Sequence, residues 1–81
     1  MTEAEIAIVR KRMQENVLFA LAFDRRGAVK RRLFWEGAAA GINDLMCVLG
    51  YGDAVADLIE MLNDGLADGL TEVWGDRDVE E

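Results

Sequence analysis

The sequence predicts an all-α fold, a small antiparallel three-helix domain. Apolar residues recur at steps of three and four along most of the chain, proline is absent, and glycine-centred breaks fall at Gly27 and at Gly50 to Gly52. With 81 residues, the chain can bury about 63% of its unfolded surface, so one core is expected and a second domain is not. The helices should span roughly 3–24, 28–49 and 53–74 within a single domain of residues 1–75, followed by a flexible acidic tail over 76–81.

The first helix announces itself at Thr2-Glu3-Ala4-Glu5. This is a capping box, in which the Thr hydroxyl and the Glu carboxylate each satisfy a backbone amide at the helix start. Ile6, Val9, Met13, Val17 and Ala20 then supply the inward line, with Arg10, Lys11, Arg12 and Glu15 mostly off it. From Val17 to Phe23 the helix is apolar all round, a surface that neighbouring helices or a partner must enclose. Gly27 suits the left-handed position that follows a helix end.

In the second helix Phe34, Ala38, Gly41, Leu45 and Val48 define an apolar face, with Trp35, Ile42 and Leu49 beside it and Gly50 closing it. Tyr51-Gly52 reads as the next turn and Asp53 as an N-cap. The third helix would then face inward with Val55, Leu58, Ile59, Leu62, Leu66 and Val73. Asp64-Gly65 and Asp68-Gly69 resemble turns, but an internal match argues for continuing the helix. Gly37 and Gly41, with the residues up to Met46, align with Gly65 and Gly69, with the residues up to Trp74, at an offset of 28. Leu33 and Phe34 align with Met61 and Leu62 at the same offset. The two helices are either divergent copies of one packing unit or two amphipathic helices of similar bias.

Glycine costs about 1 kcal/mol relative to alanine inside a helix. Gly37, Gly41, Gly65 and Gly69 therefore read as surfaces that let another helix approach closely, an effect that is steric and not confined to membranes. With Phe19 and Phe23 they form the candidate self-association set. The excess of apolar surface over what so short a chain encloses predicts a homodimer.

Charge is segregated. Residues 1–35 carry eight bases and four acids, net +4, while residues 36–81 carry one base and twelve acids, net −11, which gives the overall −7. Asp53, Asp57, Glu60, Asp64 and Asp68 project within roughly an 80° arc of the third helix, without an intervening Lys or Arg. This acidic stripe is either a solvated face or a surface for a protein partner with a basic groove. Arg25, Arg26, Lys30, Arg31 and Arg32 form a basic patch at the start of the second helix, where the helix dipole prefers anions. Neutralisation by the chain's own acids, or by a second subunit, is the expected relief. Nucleic acid is disfavoured by the net −7.

Histidine is absent and Cys47 is the single cysteine, so His-based proton transfer, Cys-rich zinc sites and intrachain disulfides are excluded. Cys47, among Leu45, Met46, Val48 and Leu49, reads as a small core hydrophobe. No phosphate-binding glycine loop and no calcium loop is present. No catalytic residue, metal or cofactor is therefore expected. The acidic N-terminus, the lack of a membrane-length apolar run and the unpaired cysteine point to the cytoplasm of a bacterium or a phage-infected host. The leading expectation is a non-enzymatic protein-binding module. A chain of this size and charge suits a phage or mobile-element inhibitor or regulator of a nucleic-acid-handling complex, acting through the acidic helical surface. The alternatives are a self-assembling structural or adaptor subunit, and a nucleic-acid binder using Arg25 to Arg32.

Overall fold

Backbone signals at the helix ends decide the topology. In the computed structural model, which describes the backbone of residues 1–76 and the side chains of residues 1–66, helix α1 spans Glu3–Arg25, α2 spans Val29–Val48 and α3 spans Ala56–Asp76. The capping box forms as read: the Glu5 amide donates to the Thr2 hydroxyl at 3.1 Å, and the Thr2 amide to the Glu5 carboxylate at 2.7 Å. At the other end of α1, Gly27 takes φ 73°; its amide donates to the Asp24 carbonyl at 3.0 Å, and the Ala28 amide donates to the Phe23 carbonyl at 2.9 Å. Helix α2 ends by the same device, with Gly50 at φ 89° and amide bonds from Gly50 to Cys47 at 3.0 Å and from Tyr51 to Met46 at 2.7 Å. Both are Schellman closures, which need a residue free to adopt positive φ. Each reverses the chain within a few residues, so α1 and α2 run antiparallel and α3 returns alongside α1.

The expected all-α three-helix domain is what the chain forms, and among the described residues there is no strand. Helix α3 continues through Gly65 and Gly69. Its start differs from expectation: Asp53 is not the N-cap but lies in a 3-10 turn, Gly52–Ala54, and the α-helical ladder begins at the Val55 carbonyl, which accepts from Ile59 at 3.3 Å. The tail expected over 76–81 lies, from residue 77 on, outside the described residues.

The core is built unequally. From α1 come Met13, Val17 and Ala20, on the predicted line, and from α3 come Leu58, Leu62 and Leu66, with Val55 just before it. Val73 lies outside the described side chains. Helix α2 contributes only Ala39 and Met46 as fully buried apolar residues, with Trp35 and Ile42 partly buried against them. Most packing is of α1 against its two neighbours, and α2 touches α3 least.

This corrects the reading of α2. Its inward line is Arg32, Ala39 and Met46, turned well away from the Phe34, Ala38, Gly41, Leu45 and Val48 stripe that the apolar periodicity selects. The physical reason is polar. The Arg32 side chain is 9% exposed and pairs at 3.4 Å with Asp24 of α1, itself 3% exposed, and Arg32 also stands 3.8 Å from Glu36. An unpaired buried charge costs several kcal/mol, so the rotation of α2 that joins these groups wins, and the larger apolar sector is left outside. Cys47 follows this rotation: it is exposed rather than a core residue, about 100° round from Met46.

Candidate protein-interaction surface

The outer sector of α2 is apolar from Leu33 to Leu49, with the exposed Asp44 at its edge and Lys30 and Arg31 before it. Phe34 is 66% exposed, Leu45 58% and Val48 83%, with Leu33 and Leu49 also exposed. Between them Gly37 and Gly41 face open space, since a Cβ built at either would meet no atom within 4 Å. A groove of about 630 Å³ adjoins this sector, lined by Ile8 and Val9 of α1 and by Ile42, Leu45 and Leu49 of α2. Three charges stand on its α1 wall, Lys11, Arg12 and Glu15, of which Arg12 and Glu15 pair at 3.6 Å. Farther along the same edge the ring of Phe19, about half exposed, stacks on Trp35 at 4.8 Å between centroids, and Phe34 meets Trp35 edge-on at 5.1 Å. These aromatic contacts are worth about 0.5–1.5 kcal/mol each beyond their area, so they hold the surface in a fixed shape.

The residues singled out from the sequence divide around this surface. Gly37, Gly41 and Phe19 belong to it. Phe23 does not: it is half-buried, with the guanidinium groups of Arg26 and Arg31 at 5.5 and 5.7 Å from its ring centroid. Gly65 is a correction, because it serves packing inside the chain. A Cβ there would overlap the Leu21 methyl groups of α1, so its close approach is between α3 and α1 and not between subunits. The contacts of Gly69 lie outside the described side chains.

The basic segment is not one patch. Arg25, Arg26, Lys30 and Arg31 are exposed, whereas Arg32 is buried in the ion pair with Asp24. The expectation of relief by the chain's own acids is met at that position. Helix α2 still starts with no side-chain cap and no acid in its first turn.

The acidic stripe is interrupted. Asp53, Asp57, Glu60 and Asp64 are exposed, and Asp68 lies outside the described side chains. Asp57 accepts from both terminal nitrogens of Arg10, at 2.8 and 3.0 Å, and Arg10 also donates to the Ala54 carbonyl. The hydrogen bond from Arg10 holds the Asp57 carboxyl below the ordinary carboxylate range. One member of the stripe thus fastens α3 to α1. Among the described residues no three Cys, Asp or Glu side chains converge as metal ligands, and no described helix is long and apolar enough to cross a membrane.

Ile8 was not among the residues picked from the sequence. Its signal there is faint: a single large apolar side chain off the inward line of α1, close to Lys11, Arg12 and Glu15.

Fold and surface together define a class, a three-helix bundle with one helix apolar on its outer side. Compared with protein-family models, curated proteins and solved structures, the chain matches none of them.

Proposed function

We propose that the chain is a non-enzymatic protein-binding module that presents the outer face of α2, with the adjoining edge of α1, to a helix of a protein partner. The observation that carries this is the outward rotation of α2, which leaves Phe34, Leu45 and Val48 in water beside an apolar groove. Single exposed apolar side chains need no explanation, but a contiguous patch marks an interaction site. A groove between two helices is a natural seat for a third, read by anchors at helical spacing. The acidic stripe takes a secondary part here. With Asp57 engaged by Arg10, the exposed Asp53, Glu60 and Asp64 act as flanking charge, which steers an encounter more than it holds a complex.

The test is site-specific photo-crosslinking in the cell that makes the protein, with p-benzoylphenylalanine in place of Leu45 or, separately, of Glu60. The expected result is a discrete protein adduct from position 45, lost when Phe34→Lys is added, and no adduct from position 60. An adduct from position 60 alone would move the binding surface to the acidic stripe and overturn the reading.

A further inference from the structure

We propose that the partner helix is α2 of a second copy of this chain, crossing antiparallel on a two-fold axis at Gly41. This rests on the apolar face being a protein-binding surface. What singles out a second copy is the order of residues along that face. Phe34 and Gly37 stand seven and four positions before Gly41, and Leu45 and Val48 stand four and seven positions after it. All five share one line of the helix. An antiparallel two-fold pairs each position before the axis with the position equally far after it. Phe34 then meets the partner's Val48, Leu45 fills the space over the partner's Gly37, and the two Gly41 backbones touch. An isologous contact requires such self-complementarity, which a foreign helix would not impose on this chain.

The empty space beside the glycines fits the same arrangement. Gly65 shows what a glycine does at a helix contact in this fold, with Leu21 packed against it, whereas Gly37 and Gly41 have nothing within 4 Å of a built Cβ. Area agrees as well. A standard interface covers about 800 Å² on each partner, about 65% of it apolar in homodimers. Ile8, Leu33, Phe34, Leu45, Val48 and Leu49 are each at least half exposed, and at on the order of 100 Å² apiece they supply that apolar area.

Charge selects the direction. The start of α2 carries Lys30 and Arg31 with no acid in its first turn, and the segment beyond its end carries the exposed Asp53. Antiparallel pairing brings the basic start of one α2 to the end of the other, which has no base in its last turn, and opposes the two helix dipoles. Parallel pairing would bring like ends together.

The experiment uses the full chain. Light scattering after size exclusion should give twice the 9.0 kDa chain mass at 100 μM. Gly41→Glu should weaken the dimer at least 100-fold, because it sets two carboxylates face to face on the axis. Its melting temperature at 1 μM should be no lower than that of the native chain, since Glu is the better helix former and the space is open. In a Cys47→Ser background, Gly41→Cys should oxidise to a covalent dimer and Leu45→Cys should not. In the antiparallel pair the two positions 45 are about 12 Å apart along the helix, beyond disulfide reach. A monomeric mass at 100 μM, an undisturbed Gly41→Glu dimer, or a Leu45→Cys dimer forming as readily would each overturn the pairing. An adduct at position 45 that lacks a second copy would overturn the pairing and leave the binding surface standing, whereas no adduct there removes both.

Discussion

Leu62 of α3 is 2% exposed, while Phe34 of α2, twenty-eight positions earlier in a matching pattern, is 66% exposed. The glycines diverge in the same way: Gly65 is pressed against Leu21, and its counterpart Gly37 looks into empty space. Two helices with similar apolar stripes have thus met opposite fates within one small fold. Helix α3 carries no buried charge among its described residues, and its apolar stripe faces the core with the Arg10–Asp57 pair at the surface beside it. Helix α2 carries Arg32, whose partner Asp24 lies on α1, and that pair turns the stripe outward. Apolar periodicity identifies a surface that must be covered; which molecule covers it can be decided by one buried polar pair.

The contrast is broken most directly at the two counterpart residues. Leu62→Ala should cost about 3 kcal/mol, as large-to-small changes in a closed core do, measured by urea denaturation at 1 μM. Phe34→Ala under the same conditions should cost about 1 kcal/mol, the worth of its edge contact with Trp35. Equal losses at the two sites would mean that α2's stripe is packed within the chain.

A second break removes the cause of the rotation. Asp24→Ala strands the Arg32 guanidinium in the core and should cost about 3 kcal/mol, while Asp24→Leu combined with Arg32→Met should recover most of it. If the ion pair sets the rotation, the double variant also frees α2 to turn its Phe34 stripe inward, which would show as loss of the position-45 crosslink with the helical circular dichroism intact.

These variants mark where the sequence was legible. The capping box, the two closing glycines, the inward line of α1 and that of α3 as far as Leu66 follow from neighbours within a turn or two, whereas the continuation of α3 was readable only from the match at an offset of 28, against local turn signals. The rotation of α2 was not, because Asp24 and Arg32 meet across a turn, and charged residues at a helix start read as surface. The same blind spot placed Arg32 in a basic patch and Cys47 in the core, whereas Gly65 was assigned to a subunit contact because a glycine's spacing does not say which helix approaches it. Asp53, Asp57, Glu60 and Asp64 of the acidic stripe are exposed as expected, yet the interruption at Asp57 depends on Arg10, forty-seven residues away in sequence.

The glycine pair sharpens the comparison through unequal gains. Gly37→Ala adds a methyl to open space within a helix and should raise the stability of the monomer by about 1 kcal/mol. Gly65→Ala has the same propensity gain but must push the Leu21 methyl groups aside, which offsets part or all of it, so its gain should be the smaller. Thermal melts of the two variants at 1 μM check this, and equal gains would remove the difference in packing between the faces.

The smallest effect concerns what fastens α3 to α1. Arg10 spans from α1 to the Ala54 carbonyl and the Asp57 carboxylate, and the bond that lowers Asp57 also raises Arg10. Arg10 stays charged at any pH a folded protein meets, so the pH dependence belongs to Asp57. Because its carboxyl is held below the ordinary value of about 3.9, its contribution is complete above that value and is lost as pH falls through the depressed one. Glu5, lowered by its hydrogen bonds to Thr2, adds to the same acid window from the start of α1. Both groups are exposed, so solvent screening keeps each contribution small. Asp57→Asn should therefore leave the neutral-pH melting temperature within a few degrees of native and flatten its fall between about pH 5 and pH 2. Glu60→Gln, next along the exposed stripe and with no cation on it among the described residues, is the control that removes a charge from the same face. An equal flattening by both would mean that the slope reports the charge of the whole face and not the Arg10 contact that distinguishes α3 from the outward-facing α2.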